Sequence, residues 1–110
     1  GGVPAQAILT CWYSKNGAFM EDGFLLSPER IARIRNIPCV AVQGTSDLIC
    51  PPITAFDLHQ AWPQMRLVLV HGGAHSMYDP GITSELVRAT DAFADANPRA
   101  PPGVKVVEWP

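Results

Sequence analysis

The sequence predicts an α/β fold in which two parallel strands lie beside helices. Two short apolar runs, residues 39–42 and 67–70, each stop at a loop, and helical segments lie before, between and after them. A strand, helix, strand order favours a parallel pair of strands joined by a right-handed crossover. Because two strands are too few for a stable open sheet, we expect an incomplete sheet that belongs to a larger structure.

The first clearly bounded helix is predicted between Ser27 and Pro38. Ser27 supplies a hydroxyl N-cap, and Pro28 occupies the first helical position, where its missing N–H costs nothing. The residue before Pro38 avoids helical geometry, so the helix ends there. Ile31 and Ile34 mark the inner face of this helix.

Two further helices are predicted in the second half of the chain. One begins at the proline pair 51–52 and ends at Pro63. Its side chains expected to face inward are Ile53, Phe56 and Trp62. The other has Thr83 or Ser84 as its cap and ends at residues 97–98. Its apolar stripe has helical spacing and consists of Ile82, Leu86, Ala89 and Phe93.

The two ends of the chain are less regular. Residues 1–26 are predicted to be an irregular segment, which contains a short helix at 5–14 and an apolar stretch at 19–26. That stretch is too apolar for a free loop and is expected to cover another surface. Residues 97–110 are predicted to be a proline-rich linker and tail, in which residues 104–109 fit either an edge strand or an ordered tail.

The composition argues against several classes of function. A hydrophobic content of 47% supports a packed core. A net charge of −2 with 16% charged residues gives neither the basic surface of a nucleic-acid-binding protein nor a polybasic membrane patch. No apolar run has the length of a transmembrane span, and the first residues lack the pattern of a signal peptide. Three cysteines without metal-ligand spacing indicate reduced thiols in a cytoplasmic protein.

An acid and a histidine follow the two predicted strands. Asp47 lies three residues after Gly44, where the first run stops, and His75 lies just beyond the glycine pair that ends the second run. The carboxyl ends of neighbouring parallel strands meet at one edge of a sheet, where α/β enzymes hold their catalytic groups. Alone, Asp47 also fits a turn former or helix cap, and His75 an ordinary loop residue. Together they fit an acid that orients a proton-shuttling histidine.

Two other histidines compete with His75. His59 lies in the middle of a predicted helix and is expected to be a partly exposed surface residue. His71 lies at the end of the second strand and could support the site. His71 and His75 are four residues apart, but the two glycines between them argue against the helix that would present both rings to a metal ion.

The chain contains no clear nucleophile. A serine nucleophile in an α/β hydrolase needs a sharp strand-to-helix turn, G-x-S-x-G, and the nearest approach, residues 44–48, lacks the second glycine. Ser76 is expected to shape the loop of His75, and a role for Cys50 would need an activation that the sequence does not show. The residues therefore supply the last two members of a Ser-Asp-His triad and not the first.

Four segments of the sequence carry a resemblance to a known family. They are GTSDLICP at 44–51, AFDLHQAWP at 55–63, GAHS at 73–76 and LVRATDAFA at 86–94. With the residues around them, from about 8 to 95, they resemble the C-terminal end of the proline iminopeptidases (prolyl aminopeptidases) of the α/β-hydrolase fold.

This resemblance implies a serine peptidase that releases an N-terminal proline from peptides without a metal or organic cofactor. Asp47 matches the triad acid of the family and His75 its general base, and the order Ser, Asp, His fits a serine upstream of residue 1. Residues 1–26 then correspond to the end of the cap region, and residues 27–96 to the C-terminal α/β-hydrolase portion.

One departure from the family affects the expected substrate. Thr10 stands where the family usually carries a glutamate that binds the amine of the terminal proline. A neutral hydroxyl cannot make the same charge-assisted bond, and Glu21 is a nearby acid that could replace it. Thr10 and Glu21 are therefore the candidate substrate-binding residues, and an esterase or amidase with the same triad stays an alternative.

A different class of function also stays open. The chain could be an inactive fragment or interaction module that is stable only by docking on the missing N-terminal part of the hydrolase or by self-association. A flavodoxin-like binding module is less favoured, because no glycine-rich phosphate loop opens a helix.

Overall fold

A computed structural model describes residues 2–95 and 103–108. The helices in these ranges are α1 (Ala5–Lys15), α2 (Pro28–Ile34), α3 (Pro52–Ala61) and α4 (Pro80–Ala94). The strands are β1 (Val40–Gly44), β2 (Arg66–His71) and β3 (Gly103–Glu108). Two short 3₁₀ turns, Gly17–Phe19 and Phe24–Leu26, lie between α1 and α2.

The three strands form one parallel sheet in the order β1-β2-β3. Leu67 in β2 pairs with Ala41 on one side and with Val104 on the other. Helix α3 connects β1 to β2, so the predicted strand, helix, strand unit is confirmed. Both predicted strands are present, but the count of two is wrong, because β3 adds a third and so confirms the edge-strand alternative for the tail.

Strand β3 has features that a hydropathy pattern does not reveal. Val104 and Val106 are exposed, whereas Lys105 between them is half-buried. The strand is held by its ladder with β2 and by an ion pair between Lys105 and Glu85 of α4. Of the predicted linker and tail, residues 97–102 and 109–110 lie outside the described residues, as does the predicted helix end at 97–98.

The central strand β2 is covered on both faces. One face belongs to a core cluster that consists of Ile31, Trp62, Met65, Leu67 and Leu69. On the other face, Val68 and Ala89 of α4 line the same small cavity, and Val70 and Ile82 approach each other at Gly73. Because alternate residues of a strand point to opposite faces, this placement explains the continuous apolar run of β2.

The helix starts follow the predicted signals only in part. Helix α2 begins directly after Ser27, as predicted, but the Ser27 hydroxyl makes no cap and donates to a preceding carbonyl oxygen at 2.9 Å. Helix α4 begins at Pro80 with Asp79 before it, so the predicted caps Thr83 and Ser84 are wrong. Proline has the backbone φ angle of a first helical residue. Helix α4 therefore begins at Pro80, about one turn before the predicted start.

Several apolar side chains predicted to face inward are exposed. Trp62, directly after α3, is buried, whereas Ile53 and Phe56 are 61% and 36% exposed. Leu86 and Phe93 of α4 are also more than a third exposed. The inward prediction is wrong for these four residues within this chain, and they form apolar surface instead.

Helix α1 lies outside the core and buries none of its residues. The ring of Phe19 packs edge to face on Tyr13, with 5.4 Å between the ring centroids. The Arg30 guanidinium lies over the Phe24 ring at 4.3 Å, and Leu26 packs against the core. The apolar stretch at 19–26 therefore covers parts of both α1 and α2. Within the described ranges, no helix combines the length and apolar character needed to cross a bilayer.

Candidate active site

Asp47 and His75 lie side by side at the carboxyl edge of the sheet. Strand β1 ends at Gly44 and β2 ends at His71, and the loop after each strand carries one of the two residues. The Nδ1 atom of His75 lies 3.0 Å from Oδ2 of Asp47 and 3.2 Å from its Oδ1. The structure thus brings together the two side chains that the sequence placed at neighbouring strand ends.

The two oxygen atoms of Asp47 have different partners. Oδ1 accepts the backbone N–H groups of Ile49 (2.9 Å) and Cys50 (2.8 Å), as an aspartate does when it closes a turn. Oδ2 is the oxygen nearer to His75. Gln43 Nε2 donates to the carbonyl oxygen of Cys50 at 3.0 Å and so ties this loop back to β1. Asp47 is therefore a turn former and also the partner of the histidine.

The Asp47 carboxylate is buried, with 8% of its side chain exposed. Burial raises the pKa of a carboxyl group because it removes water from the charged form. At Asp47 the hydrogen bonds from Cys50, His75 and Ile49, together with the charge of His75, outweigh burial and hold the pKa below its ordinary value. The ionised carboxylate can only accept hydrogen bonds, so Nδ1 of His75 carries the proton that the two groups share.

The His75 ring is half exposed, at 50% of its side chain. Its Nδ1 side is turned to the buried carboxylate. In a neutral imidazole with the proton on Nδ1, the basic nitrogen is Nε2. The arrangement therefore has the tautomer and the surface access that a general base requires.

The loops after β1 and β2 touch at Gly44. A Cβ atom on Gly44 would lie 2.3 Å from the carbonyl oxygen of Gly73, a distance that real side chains do not reach. The Ser46 N–H donates to the Gly73 carbonyl at 2.9 Å, and the Gly72 N–H donates to Thr45 Oγ1 at 2.9 Å. Sequence reasoning missed this junction, for which a glycine at the exact end of a strand is the available signal.

Comparison with curated proteins bears on the family resemblance. The chain is 44% identical to the proline iminopeptidase of Xanthomonas citri over 84 residues and 40% identical to that of Arabidopsis thaliana over 80 residues. It is 45% identical to the proline iminopeptidase of Xylella fastidiosa (strain Temecula1) over 83 residues. These alignments cover 73–74% of the chain. The chain resembles part of a proline iminopeptidase. No protein-family model matches it.

The chain spans only 20–26% of the length of these three proline iminopeptidases. About three quarters of each relative therefore has no counterpart in the 110 residues.

The two substrate-binding candidates suggested by the proline iminopeptidase resemblance lie in the segment before α2. Thr10 is exposed in α1, and Glu21 is exposed in the turn that precedes Phe24–Leu26. Within the described part of the chain, neither residue makes a hydrogen bond to Asp47 or His75. Asp47 and His75 are therefore hydrogen-bonded to each other, whereas Thr10 and Glu21 are not bonded to either of them in the described part of the chain.

His71, Ser76 and His59 do not contact the pair of Asp47 and His75 in the hydrogen bonds of the described residues. The Nδ1 atom of His71 lies 3.4 Å from Glu108 Oε2, and both side chains are exposed. The Ser76 hydroxyl accepts the Tyr78 N–H at 3.1 Å and so shapes the loop. His59 is half-buried in α3. Across residues 2–95 and 103–108, no three histidine, cysteine or acidic side chains are grouped as metal ligands would be.

Proposed function

We propose that the chain supplies the acid and the general base of a serine peptidase of the proline iminopeptidase type. The observation that carries this proposal is the hydrogen bond between His75 Nδ1 and Asp47 Oδ2, at 3.0 Å, across two adjacent strand ends. The similarity to proline iminopeptidases supports it independently. Triad residues of α/β hydrolases follow one another in the order Ser, Asp, His, so the serine belongs to an upstream part of the intact protein.

In this mechanism the Nε2 atom of His75 takes the proton of the serine hydroxyl as its oxygen attacks the scissile carbonyl carbon. Asp47 keeps the imidazole in the tautomer with a basic Nε2, and its negative charge stabilises the imidazolium that forms. The Nε2–H then protonates the leaving amine. In the second half, Nε2 takes a proton from the water that attacks the acyl-enzyme and gives it to the serine oxygen as that oxygen leaves. The scheme involves no metal or organic cofactor.

The proposal also assigns the segments of the chain. Residues 27–96 form a C-terminal portion of an α/β hydrolase, and residues 1–26 end its cap region. Residues 97–110 contain the third strand, Gly103–Glu108, in addition to the linker. The remaining part of the intact protein covers the apolar surface that this chain leaves exposed.

The proposed substrate is a peptide with an N-terminal proline. Thr10 offers a neutral hydroxyl where a carboxylate would bind the proline amine, and Glu21 is the acid that we assign to this role instead. The same observation favours the second candidate, an esterase or amidase that uses the same triad and needs no amine recognition.

The experiment that separates the two candidates compares substrates on the intact protein. We expect a higher kcat/KM for a proline-arylamide than for the matching N-acetylated arylamide and for a simple aryl ester. Glu21→Gln should lower kcat/KM for the proline-arylamide by about 10-fold, since one charge-assisted hydrogen bond is lost, and leave ester hydrolysis unchanged. The matched control is Glu29→Gln, which alters an exposed acid in the first turn of α2.

Efficient hydrolysis of the ester with no preference for a free N-terminal proline would overturn the peptidase assignment and favour the esterase. Equal effects of Glu21→Gln on the arylamide and the ester would contradict the role of Glu21 in amine recognition.

A further inference from the structure

A second acidic side chain is bound to the loop that carries His75. Asp79 lies in the N-cap position of α4, yet its side chain makes no cap hydrogen bond to that helix. Its Oδ2 instead accepts the backbone N–H of Ala74 at 2.8 Å. An N-cap aspartate ordinarily accepts N–H groups of its own helix, so this carboxylate is directed to a different partner.

Asp79 contacts the residues on both sides of His75. Its carboxylate holds the N–H of Ala74, and its own backbone N–H donates to the carbonyl oxygen of Ser76 at 3.1 Å. The Ser76 hydroxyl accepts the Tyr78 N–H at 3.1 Å, within the same loop. His75 therefore lies in the middle of a loop that Asp79 closes.

The two ends of this contact are anchored in different parts of the fold. The Asp79 carbonyl accepts the Thr83 N–H at 2.8 Å, which places Asp79 at the start of the ladder of α4. The Ala74 carbonyl oxygen is so close to Gly44 that a Cβ atom there would lie 2.5 Å from it. Ala74 is thus held between α4 and the strand end that leads to Asp47.

We propose that Asp79 is a positioning residue for His75, because its bond to the Ala74 N–H fixes the backbone from which the imidazole reaches Asp47. This inference rests on the proposed role of His75 as general base. The His75 ring is half exposed, so packing around the ring restrains it less than the backbone and the Nδ1 bond do. Catalytic side chains keep their geometry only when such supporting contacts hold them.

The test uses three substitutions of Asp79 and one control in the intact protein. Asp79→Asn keeps an oxygen acceptor in the same place. Asp79→Ser keeps a good helix cap, but its hydroxyl is one atom too short for the bond to Ala74. Asp79→Ala removes the acceptor for the Ala74 N–H and leaves no side-chain oxygen that could cap α4. The control, Thr90→Ala, removes an exposed hydroxyl that bonds to Val87 within α4.

The first readout is the NMR signal of the His75 Nδ1 proton, which lies far downfield when the proton is held by a carboxylate and needs no substrate. The second is the split between kcat and KM for a proline-arylamide. We expect Asp79→Asn and Thr90→Ala to keep the signal and the rate. Asp79→Ala and Asp79→Ser should broaden or lose the signal and lower kcat by about 10- to 100-fold, with KM nearly unchanged.

Wild-type signal and kcat in both Asp79→Ala and Asp79→Ser would overturn the proposal. Full function in Asp79→Ser with loss in Asp79→Ala would also overturn it, because Asp79 would then act as a helix cap alone. If Asp79→Ala does not fold, the comparison of the serine and asparagine variants decides. An intact wild-type protein without hydrolase activity would contradict the proposed function, whereas the NMR comparison would still decide the role of Asp79.

Discussion

At the scale of single residues, Asp47 uses its two oxygen atoms for separate purposes. Oδ1 closes its own loop through the N–H groups of Ile49 and Cys50, and Oδ2 faces His75. The two loop hydrogen bonds hold the carboxylate in place independently of its contact with His75. A buried anion with this number of donors is stabilised in its charged form, which has a consequence for stability.

The lowered pKa of Asp47 predicts a pH-dependent contribution to the free energy of unfolding. The ordinary value is 3.8, and the folded-state value lies below it. The folded state therefore favours the anion, and its stabilisation is complete above the ordinary value and is lost as the pH falls through the folded-state pKa. We expect Asp47→Asn to be less stable than the wild type at pH 7, with a difference that shrinks in acid.

Denaturant unfolding of both proteins between pH 7 and pH 3 measures this difference. Asp57→Asn, which changes an exposed aspartate of α3, is the matched control and should show no such trend. A stability difference between Asp47→Asn and the wild type that stays constant with pH would contradict the prediction.

Gly44 yields a second prediction at this scale. A methyl group at Gly44 would overlap the Gly73 carbonyl oxygen, 2.3 Å away, so the two loops must move apart. We expect Gly44→Ala to lower the free energy of unfolding by about 1–3 kcal/mol, as overpacking does, and to weaken the His75 Nδ1 proton signal. Gly2→Ala is the control, because nothing lies within 4 Å of its added atom. An unchanged stability and signal in Gly44→Ala would show that the loops do not meet there.

At the scale of elements, the strands and helices that could be predicted are those with a continuous apolar run or a strong helix-start signal. β1 and β2 follow from such runs, and their carboxyl ends place Asp47 and His75 together. The sequence left the third strand open as an edge strand or a tail, because Val104 and Val106 face solvent and Lys105 between them is half-buried. Ile53 was predicted to face inward and is exposed. Helical periodicity identifies an apolar face, but it does not show whether the surface that would cover this face belongs to the same chain.

Glu85 is the side chain that connects α4 to β3. It is buried, Arg88 Nη1 donates to its Oε1 at 2.8 Å, and Lys105 Nζ lies 3.5 Å from its Oε2. Glu85→Ala leaves the half-buried Lys105 without this partner, and we expect a loss of about 1–3 kcal/mol in stability. Hydrogen exchange should show faster exchange at the backbone N–H groups of Gly103–Glu108.

The matched control for this prediction is Glu108→Ala, in the same strand. Glu108 pairs with His71 in an exposed contact, and such pairs contribute little. Equal exchange rates in β3 for Glu85→Ala and the wild type would contradict a role for Glu85 in holding the strand.

At the scale of the whole molecule, the chain exposes more apolar surface than an independent domain of this size needs. Leu25 is 62% exposed and Trp12 is 55% exposed. In the described residues, β1 pairs with β2 alone and presents an open edge on its other side. Open strand edges and large apolar patches favour association with another chain or segment.

We therefore expect the isolated 110-residue chain to self-associate and to hydrolyse neither proline-arylamides nor simple aryl esters. Light scattering over a range of concentrations measures the first property, and the two assays measure the second. A monomeric mass at high concentration would contradict the self-association. Robust turnover that His75→Ala abolishes would mean that a nucleophile lies within the chain, with Ser76, Ser46 or Cys50 as the residues to test.

The most direct test of the central claim, that Asp47 and His75 are the acid and base of a peptidase triad, is the rate of proline-arylamide hydrolysis by variants of the intact protein. We predict that Asp47→Asn lowers kcat by about 10⁴-fold and His75→Ala by about 10⁶-fold, while circular dichroism shows an unchanged fold. Asp57→Asn and His71→Ala should keep nearly full activity. A folded Asp47→Asn or His75→Ala protein with near wild-type turnover would contradict the claim.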